Sequence, residues 1–192
     1  MTKRQQQRLG LAAVGLALCT LTACSPGGGQ VSQIAPAGTA SAPAPVAASP
    51  SSDPTLTATA AVLAAYTGMR QAQEQAEDSS STIGVDLSAY TSGKAFVAIT
   101  AAVIENSAKG WVMVGAPILN PKVTALDLSA SPATATVTDC MDVGGWHAVV
   151  QATHQDVTAA SAHSSFISVS QAQLGPDGWR ITETDVNRSR PC

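Results

Sequence analysis

Residues 106–118 read "NSAKGWVMVGAPI", and within this stretch the chain changes period. Upstream of it, from about Ser92, Phe96, Ile99, Val103 and Ile104 recur at helical spacing, and Gly110 stands where a helix closes in a left-handed residue. Downstream come six short segments, "WVMVGAPI", "PKVTALDL", "PATATVTDCM", "HAVVQ", "SSFISVSQAQL" and "GWRITETDV", separated by Pro, Gly, Asn and Asp. Their β-branched content and their punctuation predict strands and turns. The "GPDG" at 175–178 predicts the turn of an antiparallel hairpin made from the last two segments.

Working back toward the N-terminus, a first helix is predicted. Asp53 can cap it, Pro54 suits its first position, and Leu56, Leu63, Tyr66, Met69 and Ala76 fall near one face before it ends by about Ser79 in a Ser-rich turn. Helices followed by consecutive strands give an α+β domain over 53–192, with N-terminal helices packed on a curved antiparallel sheet. At about 140 residues this is the size of one domain. Aromatic residues make up only 4% of the chain, so the core must be built mainly from Val, Ile, Leu and Ala.

The chain before Asp53 carries a different signal. Lys3, Arg4 and Arg8 precede a mostly apolar stretch, Leu9 to Ala23, too short to cross a hydrocarbon core of about 30 Å as a helix. Charged start, short apolar middle and small residues at the end are the pattern of a secretory signal. Its last residues, Leu21, Thr22, Ala23 and Cys24, resemble the lipobox of bacterial lipoproteins. The resemblance implies that 1–23 is a lipoprotein signal peptide and that Cys24 becomes the first residue, carrying a diacylglyceryl group. The protein is then held on the extracytoplasmic side of the cell membrane by lipid, anchored to the bilayer without spanning it.

From 24 to 52 the lipidated cysteine is followed by a segment almost wholly of Gly, Ala, Pro, Ser, Thr and Gln, without charge. Such a segment buries too little to offset its ordering entropy and reads as a disordered tether; about 28 residues of it reach roughly 30 Å. After loss of the signal, seven Lys and Arg stand against thirteen Asp and Glu, a net charge of −6. That balance offers nothing to nucleic acid and is repelled by anionic lipid, so the membrane contact must come from the acyl chains.

Within the domain, the succession "VLAAYTGM", "YTSGKAF", "GAPILNPKVTALD", "ATATVTDCMD" and "GWRITETDV", with a closing cysteine, resembles a family of small secreted lipoproteins of actinobacteria. The domain of that family is similar to the nuclear transport factor 2-like cone, and the match runs over most of 66–192. The resemblance implies three helices on a curved sheet around a conical cavity, used by relatives for ligand binding, for partner docking, or for isomerase, dehydratase or cyclase chemistry. Such a fold leaves function open. The chain departs from the pattern between Gly144 and Ser165, where a run containing three histidines replaces a plain strand and turn.

Of four cysteines, Cys19 leaves with the signal and Cys24 takes lipid, which leaves Cys140 and Cys192 as a pair in an oxidising milieu. A disulfide between them closes a loop of about 52 residues, worth ~4 kcal/mol on a chain-entropy estimate. The alternative is two free thiols. No motif sets a histidine beside Cys140 to make it a nucleophile. His147, His154 and His163, with Asp139, Asp142 and Asp156, could supply an acid/base pair or a metal site, but separations of seven and nine residues match neither a helical zinc pair nor an alternating strand pair. They read as exposed loop or edge residues, and Asp139 and Asp142 as solvated or turn-forming. Trp111, Trp146 and Trp179 begin strands and read as core or rim packing, with stacking on a ligand at a cavity mouth as the alternative. Asn187, Arg188 and Ser189 spell a glycosylation acceptor that, in a bacterial lipoprotein, is a chance occurrence.

With no nucleophile motif, metal signature or nucleotide loop, the sequence assigns no catalytic residue, no metal and no cofactor. The expected role is a non-catalytic domain that binds a small apolar ligand or docks on an envelope protein. A secreted acid/base enzyme using the cone cavity is the alternative.

Overall fold

The computed structural model describes residues 53–160 and 164–192. The expected signal peptide, the lipid site Cys24 and the tether lie outside the described residues, as does His163.

Helix α1 spans Pro54–Asp78, 25 residues. Asp53 caps it through its side chain, which accepts the Thr55 amide at 2.8 Å, and Pro54 occupies the first turn, where no amide is needed. Val62, Ala65, Tyr66, Met69, Ala72 and Ala76 form its buried stripe. Leu56, expected on that stripe, is 69% exposed, because the packed part of the helix begins only at Ala58. A 3-10 turn, Leu87–Ala89, follows, with Asp86 as its cap and Leu87 in the core. Helix α2 spans Gly93–Lys109 and closes at Gly110, whose φ of 67° is the left-handed conformation a side chain would resist. Its buried row is Ala95, Ile99 and Val103. Phe96 and Ile104 lie beside that row and are 37% and 64% exposed, so only half of the expected apolar set faces inward.

All six predicted strands form: β1 (Trp111–Gly115), β2 (Pro121–Asp127), β3 (Thr134–Asp142), β4 (Trp146–Val150), β5 (Ser165–Gly175) and β6 (Gly178–Asn187). They make two antiparallel sheets, a four-stranded one in the order β2-β3-β5-β6 and a two-stranded ribbon, β1-β4. Gly175 pairs with Gly178 across the predicted two-residue turn of the β5–β6 hairpin. Among the described residues of the histidine-containing run, β4 is the strand between Gly144 and Ser164, and a bridge between Val149 and Asp156 folds the following loop back on it. The helices pack on one face of the larger sheet, so the domain is α+β, with Tyr66, Met69, Val137, Ala172 and Ile181 near the centre of the core. Cys140 and Cys192 are joined in a disulfide, Cα atoms 5.9 Å apart, tying the end of the chain to β3. Among the described residues no helix is long and apolar enough to cross a membrane.

Candidate binding groove and the polar relay beneath it

Strand alternation determines what lies under the helices. On β3, Ala135, Val137, Asp139 and Met141 all face inward, while Thr136, Thr138 and Cys140 face the other way. Asp139 is therefore a carboxylate on a core face and is fully buried, which corrects the expectation that it is solvated. Asp142 behaves as expected, accepting the Gly144 amide at 2.8 Å in a turn.

A buried charge needs partners, and α1 supplies them. The Tyr66 hydroxyl donates to Asp139 Oδ2 at 2.7 Å, and the Asn120 amide donates to Oδ1 at 2.6 Å. One helical turn later Arg70, 4% exposed, donates through Nε to the Tyr66 hydroxyl at 3.1 Å. Its other nitrogens donate to Ser168 Oγ at 3.0 Å and to Gln73 Oε1 at 2.9 Å. Asp139 and Ser168 are cross-strand partners on β3 and β5. The rise from residue 66 to residue 70, about 6 Å, thus carries α1 from one strand to the next. The relay ends at Glu77, which accepts from Gln73 Nε2 at 2.9 Å and is 5% exposed. Burial dominates the titration of Tyr66 and Glu77: it pushes the Tyr66 phenol up to about 12, against the lowering effect of Arg70 and with help from Asp139. Burial likewise lifts the Glu77 carboxyl above the ordinary range, opposed by Gln73 and Arg70.

Gln73 and Glu77 are also part of the wall of a groove of about 1030 Å³ between the helices and the β1-β4 ribbon. Its apolar side is Trp111, Met113, Trp146 and Val157, and small residues such as Ala102 and Ala148 keep it open. Lys109 and Arg188 border it, each over an aromatic ring: Lys109 Nζ lies 4.6 Å from the Trp111 centroid and the Arg188 guanidinium 4.9 Å from that of Phe166. A second cleft, of about 410 Å³, lies between α1 and the β5–β6 turn; its one carboxylate, Asp177, is already engaged by Arg180 at 3.0 Å.

The other candidate residues do not converge on one centre. His147 lines the groove, and its Nδ1 lies 3.4 Å from Asp156 Oδ2 without a hydrogen bond; the two side chains are 42% and 59% exposed. The Asp156 carboxyl is held low chiefly by the hydroxyl and amide of Thr158, with His147 contributing least. His154 is an exposed turn residue at a φ of 58°. Among the described residues no three His, Cys, Asp or Glu side chains gather as a metal would require. Trp179 is core, as expected, whereas Trp111 and Trp146 face the groove. Cys140 is in the disulfide and offers no thiol. The sequence reading missed Arg70, Gln73, Glu77 and Ser168. The signal for Arg70 and Glu77 was present in their helical offsets, four and eleven residues from Tyr66 on its own face.

No family model matches the chain, and no curated protein matches it. Among solved structures, the intermembrane space region of chloroplast protein ARC6 is similar to it, at 15% identity and a TM-score of 0.46, over 67% of this chain and 95% of that one.

Proposed function

We propose that this chain is a lipoprotein anchored through Cys24 to the extracytoplasmic face of a cell membrane, and that its domain, standing off on the 24–52 tether, binds a small apolar ligand without turning it over. The anchor rests on the sequence pattern Leu21–Cys24 after an apolar run of signal length. The binding role rests on the groove, whose volume of about 1030 Å³ stands at the upper end of ligand sites, about 300–1,000 Å³. Its wall combines aromatic and thioether side chains with polar ones such as Gln73, Glu77 and Asn106, a mixture that ligand sites share. The resemblance to the nuclear transport factor 2-like cone agrees with a cavity between helices and sheet.

One feature favours binding over acid/base chemistry: the inward carboxyl, Glu77, is held by the Gln73 side-chain amide, and among the described residues no histidine lies within ion-pair distance of it. A general acid or base needs a partner within hydrogen-bond reach of the reacting atoms. The test has two parts. The wild-type protein should fractionate with membranes and yield a diacylglyceryl-modified Cys24 by intact mass, and Cys24→Ser should not. The full chain with Cys24→Ser should bind Nile red at one site, and Ala148→Trp, which fills the groove, should remove that site. Binding that survives Ala148→Trp would place the ligand elsewhere.

A further inference from the structure

The relay beneath the groove is short of one positive charge. Asp139 and Glu77 are buried carboxylates, and Arg70, between them through Tyr66 and Gln73, is the only buried cation among the described residues. Asp139 is well supplied, with a short bond from Tyr66 and a backbone amide. Glu77 is the member left over: among the described residues no Lys, Arg or His lies within ion-pair distance of it.

Its position is unfavourable for a second reason. Glu77 is the penultimate residue of α1, whose last turn carries no basic residue. A helix C-terminus carries a partial negative charge that favours cations, so an acidic side chain there is in the wrong place. Neither of the groove's own cations, Lys109 and Arg188, is within ion-pair distance of Glu77. Lys109 donates to Glu105 at 2.5 Å and lies over Trp111, and Arg188 lies over Phe166. The domain as a whole is acidic, with seven basic against thirteen acidic residues.

We infer that the groove is built for an amphiphile with a protonated amine head, the ammonium seated on Glu77 and the apolar chain along Trp111, Met113 and Trp146. The inference rests on the binding role proposed above and names its ligand class. An ammonium supplies the missing charge, donates to the carboxylate in a partly dry site where a charge-assisted bond is strong, and complements the end of α1. An alcohol head supplies the hydrogen bond alone. A carboxylate head adds a like charge.

Decylamine, decanol and decanoate, identical in chain and different in head, separate these contributions when each displaces Nile red from the full chain carrying Cys24→Ser, below the aggregation concentration of each probe. The expected ranking is decylamine, then decanol, then decanoate, with decylamine at least tenfold tighter than decanol, which is about 1.4 kcal/mol. Glu77→Gln, with its fold checked by circular dichroism, should bring the amine-to-alcohol ratio below about threefold, a residual preference of less than ~0.7 kcal/mol. Equal binding of the amine and the alcohol by the wild type, tighter binding of decanoate, or a ratio that persists in Glu77→Gln would each overturn the inference while leaving an apolar groove in place. If none of the three displaces Nile red, the binding role falls with it. The wild-type ranking decides even if Glu77→Gln does not fold.

Discussion

Replacing Tyr66 by Phe removes one oxygen from the centre of the buried relay and leaves two charged groups each one bond short. Asp139 Oδ2 loses its donor at 2.7 Å and Arg70 Nε its acceptor at 3.1 Å, at sites where Asp139 is 0% and Arg70 4% exposed. Water cannot take over without opening the core. Hydrogen bonds to charged groups contribute about 1.5–3 kcal/mol each. Asp139 keeps the Asn120 amide, and Arg70 keeps Gln73 and Ser168, so the lower end of that range applies to each. The expected loss is about 3 kcal/mol, a large share of the ~5–15 kcal/mol that holds a domain. For a domain of this size that lowers Tm by roughly 10 °C. Urea unfolding of the oxidised protein, followed by circular dichroism at pH 7, measures the change directly. Ser168→Ala, which removes a single neutral acceptor from Arg70, should cost about 1 kcal/mol. The alkaline limb gives an independent check. A phenol raised from 10 to about 12 in the fold confers stability that is fully present below pH 10 and lost between pH 10 and 12. That loss, roughly 3 kcal/mol for two pKa units, should be missing in Tyr66→Phe. A variant within about 0.5 kcal/mol of wild type at pH 7, with an unchanged alkaline limb, would refute the view that the relay is a closed buried network.

Three further outcomes are expected. Glu77→Gln keeps the acceptor for Gln73 but sheds a carboxyl whose folded pKa is raised by burial. The wild type should therefore lose stability as pH climbs from 4.5 toward neutrality, and the variant, equal to it at low pH, should be the more stable at pH 8 in paired urea titrations. Removing the disulfide, with Cys140 and Cys192 both changed to Ala, should cost up to ~4 kcal/mol for a 52-residue separation, read as a drop in the unfolding midpoint. Gly115→Ala sets a Cβ against the backbone carbonyl of Gly145, in the turn before β4, at a backbone φ of 79° that a side chain resists. It should cost about 1–3 kcal/mol and raise hydrogen exchange in the β1-β4 ribbon ahead of the rest of the sheet.

The architecture was legible where local chemistry and tertiary packing agreed. Asp53 and Pro54 start α1, Gly110 ends α2, and the Gly-Pro-Asp-Gly turn sets the β5–β6 register; each acts through its own backbone, so no distant partner was needed. The misjudged apolar positions, Leu56, Phe96 and Ile104, are ones where the helix is amphipathic over more of its surface than the sheet can cover. Periodicity marks a stripe but not the width of the layer opposite it. The site was less legible because it is made of polar residues on apolar faces. Asp139 alternates with Val137 and Met141, and Arg70 shares a face with Tyr66, so the pattern gave their direction. What it withheld was that the two faces meet and that each charge finds the other through Tyr66 over 73 residues of sequence. The histidines were legible in the opposite sense: their spacing of seven residues pointed to exposed edge and loop positions, and His147 on β4 and His154 in the following turn take them.

The central claim is that ligand enters the groove between the helices and the β1-β4 ribbon, and the three tryptophans report on it directly. Trp111 and Trp146 line that groove, while Trp179 is buried beside the other cleft. In a 15N-labelled full chain carrying Cys24→Ser, titration with decanol should shift the indole resonances of Trp111 and Trp146 and leave that of Trp179 in place. A shift confined to Trp179, or no shift in Trp111 and Trp146 at saturating decanol, would contradict the account.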